Sequence, residues 1–146
     1  MTYVAGGAAQ NAARCAQYVL PDNSTAYLGC VGKDDLAEQL KAANAKEGLK
    51  NFYQVDDKEP TGSCAVVITG HDRSLCTRLG AAEKFSPSHL EKPEIQKLLE
   101  GAKMFYLGGF FLTHGIESAL NVAKVAEKND VVSGDPEELR HSQIQI

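Results

Sequence analysis

No stretch of this chain is long and apolar enough to read as a membrane span. The longest runs free of Asp, Glu, Lys and Arg extend from Met1 to Ala13 and from Met104 to Ile116, short of the roughly 18 apolar residues a span requires. Met1 to Ala13 also lacks the basic start and apolar middle of a secretory signal. With 5 prolines and 13 glycines, the chain is neither collagen-like nor a Pro-rich fibre. Positive charge is in deficit: 15 Lys and Arg against 19 Asp and Glu leave a net charge of −4, which argues against a broad basic surface for nucleic acid. What remains, 146 residues with 43% hydrophobic and 23% charged, is the make-up of one globular domain rather than a disordered chain.

Cys-x-x-Cys is also missing. Cys15, Cys30, Cys64 and Cys76 have no His at zinc-ligand spacing from any pair. Four cysteines allow three disulfide pairings, but without a secretory signal the favoured reading is free thiols, buried and inert, in a reducing compartment. That compartment is expected to be the cytoplasm, with the nucleus as an alternative.

Hydrophobic patterning predicts a parallel α/β sheet interrupted by an antiparallel insert. A helix over Ala8–Val19 follows Ala5-Gly6-Gly7, and its alanines 8, 9, 12, 13 and 16 suit close packing on a sheet. After a turn at Pro21–Ser24 comes a buried strand, Ala26–Gly32. A helix then starts at Asp34 or Asp35, places Leu36, Leu40 and Ala43 at helical spacing, and stops at Gly48. Short strands at 51–55, 62–69 and 74–79, joined by turn-rich segments, form the insert. Alternation resumes with a helix over Lys92–Gly101 opened by Pro93, and a strand over Lys103–Leu107. A helix capped by Thr113 follows, with Ile116, Leu120, Ala123 and Ala126 on one stripe and Asn129 at its C′ position. A strand from Asp130 to Val132 is the last element of this series.

Ligands of open α/β sheets bind beyond the carboxyl ends of the strands, where loops lead into helices. Ala5-Gly6-Gly7-Ala8 is the better of two Gly-rich loops for this role, because a helix N-terminus there offers amide N–H groups and Asn11 stands one turn in. The other is Gly108-Gly109-Phe110-Phe111, whose aromatics could stack a planar ligand or simply belong to the core. The first is neither a dinucleotide fingerprint nor a phosphate loop, and glycines that merely allow tight strand–helix packing explain it equally well. Arg73, in a loop over Thr69–Ser74, suits a phosphate, although a solvated arginine is the simpler account. His71 beside it reads as a turn residue before a base. Asp135-Pro136-Glu137-Glu138 reads as a helix start, not as a catalytic Gly-Asp loop.

Five ordered blocks resemble the adenosine kinases of the ribokinase-like (phosphofructokinase-B-type) sugar kinases. They are Ala-Gly-Gly-Ala-Ala-Gln-Asn at 5–11, Gly-Cys-Val-Gly-Lys-Asp at 29–34, Pro-Thr-Gly-Ser-Cys-Ala at 60–65, Ile-Thr-Gly-His-Asp-Arg-Ser-Leu at 68–75 and Tyr-Leu-Gly-Gly-Phe-Phe-Leu-Thr at 106–113. The resemblance implies transfer of the ATP γ-phosphoryl group to the 5′-hydroxyl of adenosine, giving AMP in purine salvage, with ATP and Mg2+ as cofactors. It implies an α/β sheet with helices on its faces and a small β lid. By position, Gly7 and Asn11 would hold ribose hydroxyls with Ala8 beside them. Cys64 and Leu79 would belong to the lid wall, Phe111 would flank the nucleoside, and Arg73 would bind the phosphate in transfer. A monomer binding adenosine, without nucleic acid or membrane partners, is the family expectation.

The same comparison sets limits. The family's strand preceding the Gly-Gly loop, with its diol-gripping carboxylate, has no counterpart in Met1–Val4, and the resemblance ends near Asn129. No Gly-Ala-Gly-Asp anion hole with its catalytic-base Asp occurs in the chain, and Glu83 replaces the usual Asn. The reading is therefore a truncated ribokinase-like domain over 1–130, with lid strands at about 51–55 and 62–79, and a divergent tail over 131–146. Such a chain is expected to be catalytically incompetent alone and prone to self-association through exposed edges. A non-catalytic nucleoside- or partner-binding fragment and another sugar kinase are the alternatives.

Overall fold

The computed structural model describes residues 2–129; the expected strand at 130–132 and the helix start at Asp135 lie outside them. Helix α1 (Ala8–Val19) and strand β1 (Ala26–Gly32) have the predicted bounds. The inward stripe of α1 is unexpected. Gln10, Ala13 and Gln17 are buried, whereas Ala8 is exposed and Ala9, Ala12 and Ala16 are half-buried. The long amides take the place of alanine there, and Gln17 finds a partner for each end. Gln17 donates to the Pro21 carbonyl at 3.0 Å and accepts from the Thr25 amide at 2.9 Å, tying the turn to the helix.

Helix α2 (Asp35–Lys46) is capped by Asp34, which accepts from the Ala37 amide at 2.9 Å. Strand β2 (Lys50–Asp56) then pairs in parallel with β1, from Ala26 opposite Lys50 to Gly32 opposite Asp56. Residues 51–55 thus belong to the parallel sheet and not to the antiparallel insert. The insert is one hairpin, β3 (Ser63–Thr69) with β4 (Asp72–Arg78). Its two-residue turn is Gly70-His71, and Gly70 takes a φ of +62° that suits the first central position of a type II′ turn. Arg73 consequently lies within β4 and not in a loop. Every residue of both strands is exposed, so the hairpin stands off the body on both faces.

Short helix α3 (Pro87–Leu90), α4 (Pro93–Gly101) and α5 (Ile116–Lys128) cover one side of the sheet. Leu28 of β1 meets Leu90, Ile95, Leu99, Phe105, Val122 and Ala126 in the main core. The expected strand at 103–107 is reduced to a single bridge at Tyr106, because among the described residues it gains no continuous partner ladder. Phe105 is nonetheless buried. Thr113 does not cap α5. It closes a 3-10 turn over Gly109–Thr113, donating to the Phe110 carbonyl at 2.7 Å, and Gly115 precedes the helix. The inward stripe of α5 is Ala119, Val122 and Ala126, while Ile116, Leu120 and Ala123 are exposed. Asn129 ends α5 as its C-cap in place of the left-handed C′ role, and its amide donates to the Leu99 and Glu100 carbonyls at the end of α4. No helix among the described residues is long and apolar enough to cross a membrane.

The cysteines divide. Cys30 is buried, and desolvation, aided by Asp56, pushes its thiol up to about 11. Cys15, Cys64 and Cys76 are exposed, contrary to expectation, and all four are free. The exposed three sit on the outward side of α1 and on the two-sided hairpin, away from the core.

Candidate nucleoside site

Gly7 shapes the start of α1. Its φ of +104° is a conformation that L side chains rarely adopt, and it turns the chain into the helix. The Asn11 amide makes the first bond of the turn, 2.8 Å to the Gly7 carbonyl. The N–H groups of Ala8, Ala9 and Gln10 therefore have no partner within the helix, and no side chain caps them. Gly7, Ala8 and Asn11 are all exposed. These donors, aided by the helix dipole, suit hydroxyl or phosphate oxygens.

The second Gly-rich loop comes to the same place. A side chain on Gly108 would meet the Ala9 Cβ at 3.3 Å, so close packing and proximity to the first loop both depend on this glycine. Phe111 is half-buried beside it, edge-on to Phe85 and His114 at 5.6 and 5.4 Å, whereas Phe110 is exposed. Phe85 also packs edge-on against His89, which is buried and bonded through Nε2 to the Phe52 carbonyl. Burial holds the His89 imidazole below its ordinary pKa.

The hairpin register sorts its residues by face. Ile68 pairs with Arg73, Val66 with Leu75 and Cys64 with Thr77, so these six share one face. Cys64 and Arg73 thus share a face but lie at opposite ends of it, Cys64 toward the base and Arg73 beside the turn, with the Thr77 hydroxyl donating to the Cys64 sulfur at 3.1 Å. Arg73 makes no ion pair among the described residues. Leu79 lies at the hairpin base, its carbonyl facing Gly62. His71 occupies the turn.

Three parts of the support were not visible in the sequence. Gln10 is buried and accepts from the Tyr53 hydroxyl, which in turn accepts from Asn44 Nδ2 at 3.1 Å; Asn44 also donates to Asn51 at 2.6 Å. Arg14 is bonded to Glu47. Thr61 is buried at the foot of the hairpin, its hydroxyl and amide bonded to the Asp34 carboxylate at 2.6 and 2.8 Å while its oxygen accepts from the Gly32 amide at 3.0 Å. No local pattern announces these pairs, because their partners are brought together only by the fold.

Asp34 therefore joins the cap of α2 to the hairpin's foot. Burial opposes ionisation of its carboxyl, but bonds from Thr61 and from the Ala37 and Leu36 amides outweigh that and hold it below the ordinary carboxylate value. Asp34→Ala is expected to lower the unfolding free energy by about 2–3 kcal/mol, combining a lost cap with lost charge-assisted bonds. Urea denaturation would measure it. Because the folded pKa is depressed, this stabilisation is present above the unfolded value of about 4 and lost as pH falls through the folded one. The variant's deficit should accordingly shrink in acid.

The described residues thus present a bare helix N-terminus, a β-α-β unit and an exposed hairpin inserted after it. The chain belongs to the pfkB family of carbohydrate kinases, whose family model matches residues 1–139. Among curated relatives, the adenosine kinase of Schizophyllum commune is 60% identical over 123 residues, 84% of this chain and 36% of that protein. The adenosine kinase of Schizosaccharomyces pombe is 49% identical over 132 residues, 89% of this chain and 39% of that protein. In the solved adenosine kinase of Schistosoma mansoni in complex with adenosine, 31% identical, the match covers 88% of this chain and 38% of that one with a TM-score of 0.83. Ribokinase from Giardia lamblia, 21% identical with a TM-score of 0.65 over 84% of this chain and 37% of that one, shares the fold. The chain thus spans little more than a third of the relatives it matches.

Proposed function

We propose that these residues form the nucleoside-binding side of an adenosine kinase. The observation that carries this reading is the uncapped first turn of α1 at Gly7–Asn11, in a chain 60% identical to the Schizophyllum commune adenosine kinase. Its free N–H groups and the Asn11 amide would receive ribose hydroxyls, with Ala8 alongside. Phe111 would flank the nucleoside, Cys64 and Leu79 would wall it from the hairpin side, and Arg73 would neutralise the phosphate passing to the 5′-hydroxyl.

ATP and Mg2+ enter this proposal through the family's chemistry. Among the described residues no three His, Cys, Asp or Glu side chains converge to hold a metal ion. Their part is to bind and orient the nucleoside. We assign the activity to the cytoplasm, since three exposed free thiols need reducing surroundings.

Titration of the 15N-labelled 146-residue chain with adenosine should shift the amide resonances of Gly6–Asn11, with weak affinity, and addition of MgATP should yield no AMP. Shifts produced by ribose or fructose with none from adenosine would favour another sugar kinase. Unmoved amides at millimolar adenosine would overturn the nucleoside reading.

A further inference from the structure

We propose that Arg14 is a positioning residue for this site, holding the Ala5–Gly7 loop and the Asn11 amide from behind. The inference rests on the nucleoside reading of α1. A helix start that offers its N–H groups to a ligand cannot also occupy them with a capping side chain. Helix α1 has no such cap, and no acidic residue in its first turn. Its placement must come from contacts elsewhere.

On the buried side Gln10 supplies one, through Tyr53 and Asn44. On the other side Arg14 meets Glu47, the residue that ends α2. Its Nε donates to Glu47 Oε2 at 2.6 Å and Nη2 to Oε1 at 2.5 Å, a two-pronged charge-assisted pair. Nη1 then donates to the Ala5 carbonyl at 3.2 Å and lies 3.5 Å from Asn11 Oδ1. A planar guanidinium can serve all three partners at once, which a lysine ammonium on its flexible stem cannot. The cation also orients Asn11. With Oδ1 drawn toward Arg14, Nδ2 is left to donate to a ligand oxygen. Glu47, more than thirty residues away in sequence, thereby acts on the ribose through Arg14 without touching it.

The test uses Arg14→Gln, Arg14→Lys and Glu47→Gln in the 146-residue chain, with two readouts. Without ligand, hydrogen exchange at the Asn11 backbone amide should speed by about tenfold in Arg14→Gln, and the Asn11 side-chain amide protons should shift, while Leu28 and Val31 in β1 keep their rates. With ligand, adenosine affinity should fall by about tenfold, the size of one lost charge-assisted bond, and affinity for free adenine should not change. Arg14→Lys should retain only part of either property. Glu47→Gln, which leaves the guanidinium in place, should show the same pattern at smaller size and serves if Arg14→Gln does not fold. Unaltered Asn11 signals, or uniformly faster exchange through α1 and β1, would overturn the proposal. Local loosening at Asn11 in a chain that binds no adenosine would instead support the positioning role and remove the nucleoside reading.

Discussion

Phe105→Ala is expected to unfold the chain at temperatures where the unsubstituted chain is native. The ring is 3% exposed and packs in the core with Leu28, Leu90, Ile95, Leu99, Val122 and Ala126. Truncating a buried phenylalanine to alanine costs about 3–5 kcal/mol, because the lost transfer free energy is compounded by a cavity that neighbours only partly refill. Domains of this size have about 5–15 kcal/mol in total. A melting temperature lower by about 10–15 °C is expected in a thermal melt. Met104, its neighbour, is 65% exposed, and Met104→Ala should stay within about 0.5 kcal/mol. Equal effects at the two positions would show that the side of this segment facing the core has been misassigned.

Arg73→Ala should have the largest effect on catalysis. The assay needs a chimaera in which residues 2–129 replace the matching segment of the Schizophyllum commune adenosine kinase. Neutralising charge on a transferring phosphoryl group is a transition-state contribution, and loss of such a group costs about 10²–10³-fold in turnover. The adenosine KM should change little, since the proposed nucleoside contacts lie on α1, at Phe111 and in the wall of Cys64 and Leu79, and not at Arg73. Arg73 is exposed on β4, so thermal stability should be unaffected. Arg73→Lys should recover part of the rate, retaining charge without the planar fork. Unchanged turnover in Arg73→Ala would leave it a solvated surface arginine.

Local signals were legible in the sequence where one element carries its own explanation. The bounds of α1 and β1, a cap for α2 at Asp34 or Asp35 and the hairpin all follow from periodicity, turn residues and capping chemistry. Pairing was not, because a strand's partner is chosen by the fold and not by the strand. Residues 51–55 look like a third insert strand yet join β1 in parallel, and 103–107 looks like a strand yet forms one bridge. On α1, alanines suggested the packing face, but Gln10 and Gln17 share it with Ala13, Gln17 bonding to Pro21 and Thr25 and Gln10 to Tyr53. The Gly-rich loop and Arg73 stood out as candidates from residue chemistry. Their supports, Arg14 with Glu47 and Asp34 with Thr61, join residues distant in sequence and became visible only in three dimensions.

The make-up of the main core also dictates an order of assembly. Leu28 leaves the ribosome long before Val122 and Ala126, the residues that bury it from the far end of the described chain. Leu90, Ile95, Leu99 and Phe105 can begin to cover Leu28 before α5 is made, so until then β1 is only partly buried, a nascent intermediate of the kind that chaperones shield. The β3–β4 hairpin, closed by its own two-residue turn, has no such wait.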